Sequence, residues 1–275
     1  MSSPRFAFVA STGRTATTFL AATLERLSGV AAFHEGHDLG DPPSPRLPLI
    51  NLQNGPAWHD PCLAQRTVAE RRDRATLQAA AGDADLTIDV AFYNAPLLRA
   101  LAARHPTAHL LAVFRRCESF VRSATIIAGE DRQPAGWPDP GKELTARERF
   151  IALGRLRPRP RTPEAEAWPQ WSGIQRNIWL WHAVNTHLAT MVEELPPVVP
   201  LFFEQLVDEP HEFWSACLAG LGIDKPEYLA PCLERSSARM NARSEYQIGP
   251  ASSWNPAERE SYERIALPLE AQLYD

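Results

Sequence analysis

The feature that most restricts the fold lies near the start of the chain. Residues 6–10 (FAFVA) form a short apolar, partly aromatic run, the pattern of a strand buried in a parallel sheet. The sequence then turns polar through Ser11-Thr12-Gly13-Arg14-Thr15-Ala16-Thr17-Thr18, and from Phe19 the pattern FLAATLERL sets Leu20, Leu24 and Leu27 on one helical face. A strand, a hydroxyl-rich loop and a helix in succession predict an α/β architecture. Such a loop aims backbone N–H groups and the positive end of a helix dipole at one place, and adds hydroxyls and a guanidinium that forks onto an oxyanion. We read it as an anion cradle, against the plainer alternative of a helix start capped by ordinary threonines. The Walker pattern G-x-x-x-x-G-K-[ST] is absent, so no lysine reaches for a β/γ-phosphate pair and an ordinary kinase or ATPase is disfavoured.

The rest of the chain repeats the same alternation. Residues 109–114 (HLLAVF) read as a second buried strand, ending in Arg115-Arg116 and followed by the helical stretch ESFVRSATIIA. Arg115 thus stands at a carboxyl-terminal strand end, the edge at which parallel α/β sheets bind ligands, and Ser123 lies eight residues later on the following helix. Strands are also predicted at 30–33, leading into His34-Glu35-Gly36-His37-Asp38, at 86–90, which contains Asp89, and at 198–203. Helices are predicted at 64–81, 95–104, 174–195 and 258–273. Two proline-rich stretches, about 40–62 and 130–170, are expected to cover an acceptor site. The first, with Pro42, Pro43, Pro45, Pro48, Pro56 and Pro61, is predicted to lack regular helix; the second carries one short helical candidate at 144–156.

Composition narrows the classes. At 275 residues, with 44% hydrophobic and 22% charged, the chain has a normal globular make-up and is expected to fold as one domain. A net charge of -5 supplies no general field for nucleic acid or an anionic membrane surface, so neither is an expected partner. Cys62, Cys117, Cys217 and Cys232 form no C-x-x-C pair, and no His-rich set occurs, so no metal site is expected. No apolar run approaches the ~20 residues that span a bilayer, and residues 1–14 lack the marks of a secretory signal, from which a cytoplasmic location is expected. Lys142 and Lys225 are the only lysines.

With these residues in view, the chain resembles a family. Gly13-Arg14-Thr15-Ala16-Thr17-Thr18-Phe19-Leu20 is similar to the P-R-S-G-T-T-x-L loop by which bacterial sulfotransferases hold the 5′-phosphosulfate of 3′-phosphoadenosine 5′-phosphosulfate (PAPS). Gly13 replaces the Pro and Ala16 the Gly of that loop, so the backbone at Ala16 is expected to avoid a shape that only glycine allows. Arg115 and Ser123 match the ends of the R-[N/D]-P-x-[D/E]-x-x-x-S segment that grips the 3′-phosphate, with Arg116, Cys117 and Ser119 at the positions between. Residues 203–210 resemble the family's Y-E-D-L-V-x-D-P segment, and Trp254 with the helix after it resembles its terminal region.

The resemblance implies a single α/β domain of the P-loop nucleotide-binding-like sulfotransferase fold, with a central mostly parallel sheet flanked by helices. It implies PAPS as donor co-substrate and a hydroxyl or amine of a small molecule or glycan as acceptor. Donor contacts would come from Gly13, Arg14, Thr15, Ala16, Thr17, Thr18, Arg115 and Ser123, with Arg14 also acting on the transferring group. Glu35 is the first choice of general base, since heparan sulfate 3-O-sulfotransferases carry a Glu after the corresponding strand; His34, His37 and Asp89 are the others. Relatives often have a Lys where this chain has Val90, which leaves Arg14 to carry the cationic load. The acceptor pocket is expected among the two proline-rich stretches and Trp137, Trp168, Trp171, Trp179 and Trp181, although aromatics at helical spacing are more often core. Two other readings remain at this stage: a divergent P-loop nucleotide phosphotransferase needing magnesium, and a non-catalytic nucleotide-binding module. The oligomeric state is not legible.

Overall fold

A computed structural model describes residues 5–125, 143, 155–195, 197–237 and 248–274, without the side chains of 51–54. Five strands, β1 (Arg5–Ser11), β2 (Val30–His34), β3 (Leu86–Val90), β4 (His109–Phe114) and β5 (Val198–Phe202), form one sheet in the order β2-β3-β1-β4-β5. Every pairing is parallel. Alternate residues of β1 enter opposite layers: Phe6, Phe8 and Ala10 belong to one hydrophobic cluster, Ala7 and Val9 to the other. Burial on both faces is why this strand reads as a continuous apolar run.

Parallel neighbours require crossovers, and helices supply them. Helix α1 (Thr17–Leu24) carries the chain from β1 towards β2; α2 (Asn51–His59), α3 (Pro61–Arg71) and α4 (Arg74–Ala81) lie between β2 and β3, and α5 (Leu98–Arg104) leads to β4. Helix α6 (Cys117–Ala124) follows β4, and the long α7 (Gly173–Glu194) precedes β5. The chain places β2 and β3 on one flank of β1 and then β4 on the other, so the winding reverses beside β1. Ser11 pairs with Val113, which sets the carboxyl ends of β1 and β4 side by side. That is the position at which open α/β sheets form their ligand crevice.

Several elements differ from expectation. The segment at 40–62 contains α2, with Pro56 inside it. Four of its prolines precede that helix, and Pro61 occupies the first position of α3, where its missing N–H costs nothing. Only Pro56 is interior, and burial of Ile50 and Ala57 in the core offsets the one bond it removes. The single helix expected at 64–81 is two: Asp73 accepts from the Thr76 N–H and starts α4 anew, while Arg72 turns its side chain into the core. The helix expected from residue 95 begins as a 3-10 turn, Phe92–Leu97, and Phe203 opens a short helix, Phe203–Asp208, rather than ending β5. The C-terminal helix passes through a π turn at Tyr262–Ala266. Trp137 and nearly all of the short helix predicted at 144–156 lie outside the described residues. Among those described, no helix is long and apolar enough to cross a membrane.

Candidate functional site

The loop between β1 and α1 is wound by backbone of unusual hand. Gly13, Arg14 and Ala16 have φ of 76, 57 and 60°. Ala16 therefore adopts the left-handed shape it was expected to avoid. An alanine methyl is small enough to enter this basin at about 1–2 kcal/mol, so the glycine of the related loop is not an absolute requirement. Ser11 steadies the turn by accepting the Gly13 N–H at 3.0 Å.

Ala16 is also the N-cap of α1, and no side chain caps the helix. The first intrahelical bond runs from the Leu20 N–H to the Ala16 carbonyl at 2.9 Å, so the N–H groups of Thr17, Thr18 and Phe19 precede it. Beside them the Thr15 hydroxyl is fully buried with no hydrogen-bond partner among the described residues. A buried hydroxyl left unsatisfied costs about 1–3 kcal/mol. Helix dipole, the N–H groups ahead of the first intrahelical bond and this hydroxyl form a donor set suited to an anionic ester group.

The β4–α6 junction meets the same loop. The Arg14 Nε donates to both the Oγ and the carbonyl of Ser123, each at 3.1 Å. In return the buried Arg115 donates through Nη1 to the Arg14 carbonyl. Arg115 is held from three further sides: its Nε donates to Ser119 Oγ at 2.9 Å, its guanidinium lies over the Phe203 ring at 4.1 Å, and its carbonyl accepts from Trp181 Nε1 at 2.6 Å. Ser119 thus aims the guanidinium. The first N–H groups of α6 are taken by protein carboxylates: Arg116 N–H donates to Glu204 at 2.9 Å and Cys117 N–H to Glu270.

The third wall comes from β2. His34 and His37 exchange backbone hydrogen bonds, each at 3.0 Å, around a two-residue turn in which Glu35 and Gly36 have φ of 53 and 77°. Two positive φ angles in a row mark a type I′ hairpin. His37 Nδ1 donates to the Glu35 carbonyl at 3.0 Å. His34 Nε2 lies 3.1 and 3.2 Å from the Thr17 and Thr18 hydroxyls and 3.9 Å from Glu35 Oε1. Burial, helped by His37, pushes the His34 imidazole down to about 4, so the ring is neutral at neutral pH. Glu35 and His34 therefore stand beside the threonines of the cradle.

Asp89 is placed elsewhere. Its side chain is wholly buried, and Oδ2 accepts from Arg72 Nε at 2.8 Å in an ion pair without solvent contact. Burial works against the Arg72 charge, but Asp89 and Tyr93 more than offset it and leave the guanidinium above its ordinary value. Arg72 also donates to the Tyr93 hydroxyl at 3.0 Å and to the Pro48 carbonyl at 2.7 Å. Trp181 and Trp168 both belong to the core, and the partly buried Trp171 and Trp179 pack against Trp168 with ring centres 5.6 and 5.4 Å from it.

One residue at the site has no sequence signal. The Arg155 guanidinium lies over the Phe92 ring at 5.7 Å, and a methyl at Gly13 would meet Phe92 Cβ at 3.5 Å. Burial pushes Arg155 down to about 10, with Glu35 opposing the fall and Arg14 adding to it. Arg155 is the first of four arginines in the run R-L-R-P-R-P-R, residues 155–161, and neither periodicity nor motif sets it apart from the other three. Among the described residues no group of three or more His, Cys, Asp or Glu is arranged to hold a metal ion.

No family model and no curated protein matches this sequence. Solved structures do. The sulfotransferase domain from the Synechococcus PCC 7002 olefin synthase matches at 15% identity and TM-score 0.48, over 100% of this chain and 97% of that one. The sulfotransferase domain from the curacin biosynthetic pathway matches at 15% identity and TM-score 0.46, over 83% of this chain and 77% of that one. A sulfotransferase from Alicyclobacillus acidocaldarius matches at 14% identity and TM-score 0.43, over 86% of this chain and 96% of that one. It is to sulfotransferase domains that this chain is similar.

Proposed function

We propose that the protein transfers a sulfuryl group from PAPS to a hydroxyl or amine of a small-molecule acceptor. The observation that carries this reading is the direct contact between two anion-binding segments: Arg14 of the cradle bonded to Ser123, and Arg115 bonded to the Arg14 carbonyl. A nucleotide with ester groups on both sides of its ribose needs such a pair. Thr15, with its buried hydroxyl, the N–H groups opening α1 and the hydroxyls of Thr17 and Thr18 would hold the 5′-phosphosulfate; Arg115 and Ser123 would hold the 3′-phosphate.

In the reaction the sulfur–oxygen bond to the 5′-phosphate breaks, and the phosphate leaves with the electron pair. A new sulfur–oxygen bond forms to an acceptor hydroxyl, whose proton passes to the Glu35 carboxylate. By analogy with phosphoryl transfer through a loose transition state, the protein mainly positions the two oxygens and stabilises charge growing on the leaving phosphate. Each preorganised donor aimed there is worth about 2.7–4 kcal/mol of barrier, and a well-placed base about 10²–10⁴-fold.

Calorimetry with adenosine 3′,5′-bisphosphate tests the reading. The wild type should bind without magnesium, and Arg14→Ala and Arg115→Lys should each weaken binding by roughly 10–100-fold, the worth of a charged hydrogen bond. Unchanged affinity in both variants, or preference for magnesium–ATP, would refute it; the latter result would favour a phosphotransferase.

A further inference from the structure

We infer that Arg155 is a further catalytic residue, one that holds the group being transferred rather than the nucleotide that delivers it. This rests on the proposed sulfuryl transfer. The Arg155 guanidinium covers the Phe92 ring, and Phe92 Cβ abuts Gly13, so one side chain separates the charge from the opening residue of the cradle. It faces two charges of opposite sign, the Glu35 carboxylate and the Arg14 guanidinium. Apolar packing does not call for a guanidinium here, because burial alone works against its charge. Arg14 adds repulsion. Such a grouping is favoured when an anion lies among its members.

The cations sit on different sides of the cradle. Arg14 reaches towards α6, where it meets Ser123, and its carbonyl meets Arg115. Arg155 covers Phe92, which follows β3, and β3 lies next to β2 on the flank of β1 away from β4, so Arg155 is on the side of Glu35, the proton acceptor. An acceptor hydroxyl that gives its proton to Glu35 must attack from that side, so the sulfuryl group in flight lies between Glu35 and the cradle. Its three outer oxygens carry the charge of a loose transition state, and a guanidinium there acts on the reacting atoms. The leaving phosphate takes the electron pair as before; Arg155 neither gains nor loses a proton.

Two ligands that differ by that one group provide the test. PAPS and adenosine 3′,5′-bisphosphate are titrated into the full-length wild type, Arg155→Ala and Arg155→Lys. The expected result for Arg155→Ala is bisphosphate affinity within twofold of wild type and PAPS affinity at least tenfold weaker, with Arg155→Lys between the two. Equal weakening of both ligands would make Arg155 part of the general scaffold, and weakening of neither would remove it from the site; either overturns the inference. Bisphosphate binding also reports that the variant is folded, and if Arg155→Ala does not fold, the same comparison is read from Arg155→Lys. A wild type that binds neither nucleotide sinks the proposed function itself, which is a different result.

Discussion

Arg14, Ala16 and Glu35 share a backbone region that suits glycine, and all three belong to the site. A non-glycine residue held there costs of order 1–3 kcal/mol, and such strain persists where function retains it. Glu35 is the clearest case. Its hairpin needs glycine at position 36, where a methyl would meet the Leu47 carbonyl at 3.2 Å and the Tyr93 hydroxyl at 3.3 Å. The local preference for the residue before that glycine in a type I′ turn is asparagine. A carboxylate one methylene longer stands there instead, beside the threonines of the cradle through His34. Glu35→Asn is therefore expected to raise stability by up to about 1 kcal/mol while lowering turnover by about 10²–10⁴-fold. Urea midpoints together with a PAPS-dependent assay on an accepted alcohol measure both; retained turnover would remove Glu35 as the base.

Elements explain why Glu35 and Asp89, which look alike in the sequence, have different surroundings. Each lies at the carboxyl end of a strand beside β1's flank, β2 for one and β3 for the other. What separates them is a side chain arriving from the α3–α4 break: Arg72 reaches Asp89, ties it to Tyr93 and to the Pro48 carbonyl, and closes the space to water. Removing one partner of such a buried pair leaves an uncompensated charge and typically costs 3–5 kcal/mol. Asp89→Asn should accordingly lose about that much stability by urea denaturation, while the protein that remains folded keeps its turnover. Abolished turnover at unchanged stability would instead make Asp89 the base. This arrangement also marks the limit of what the sequence discloses. The bounds of β3 and β4 are legible residue for residue, because strands buried on both faces are apolar runs with polar ends. The cradle is legible because its donors are consecutive. The helix across Pro56 and the break at Arg72 are set by burial against distant residues, and Arg155 reaches the cradle only through tertiary packing, so local pattern is silent on all three.

At the scale of the whole molecule, the imidazoles decide how stability responds to acid. His34, His105, His109, His182 and His187 are all held below the ordinary histidine value, each first of all by burial. The unfolded chain therefore takes up protons from about pH 6.5 downward while the folded protein does not, and stability must fall as the pH falls. For His34 that loss continues until about pH 4, where the folded ring itself protonates. Glu270 and Glu25, held above the usual carboxylate range by burial, act in the opposite sense: the folded protein protonates them before the unfolded chain does, which offsets part of the loss as the pH falls. The urea midpoint is thus expected to be lower at pH 5 than at pH 7.5, and His34→Gln should lessen the difference by removing one of the contributing rings. Equal midpoints at the two pH values would mean that the rings meet water in the folded protein, and His34 would then not be a neutral partner of Thr17 and Thr18 at the mouth of the cradle.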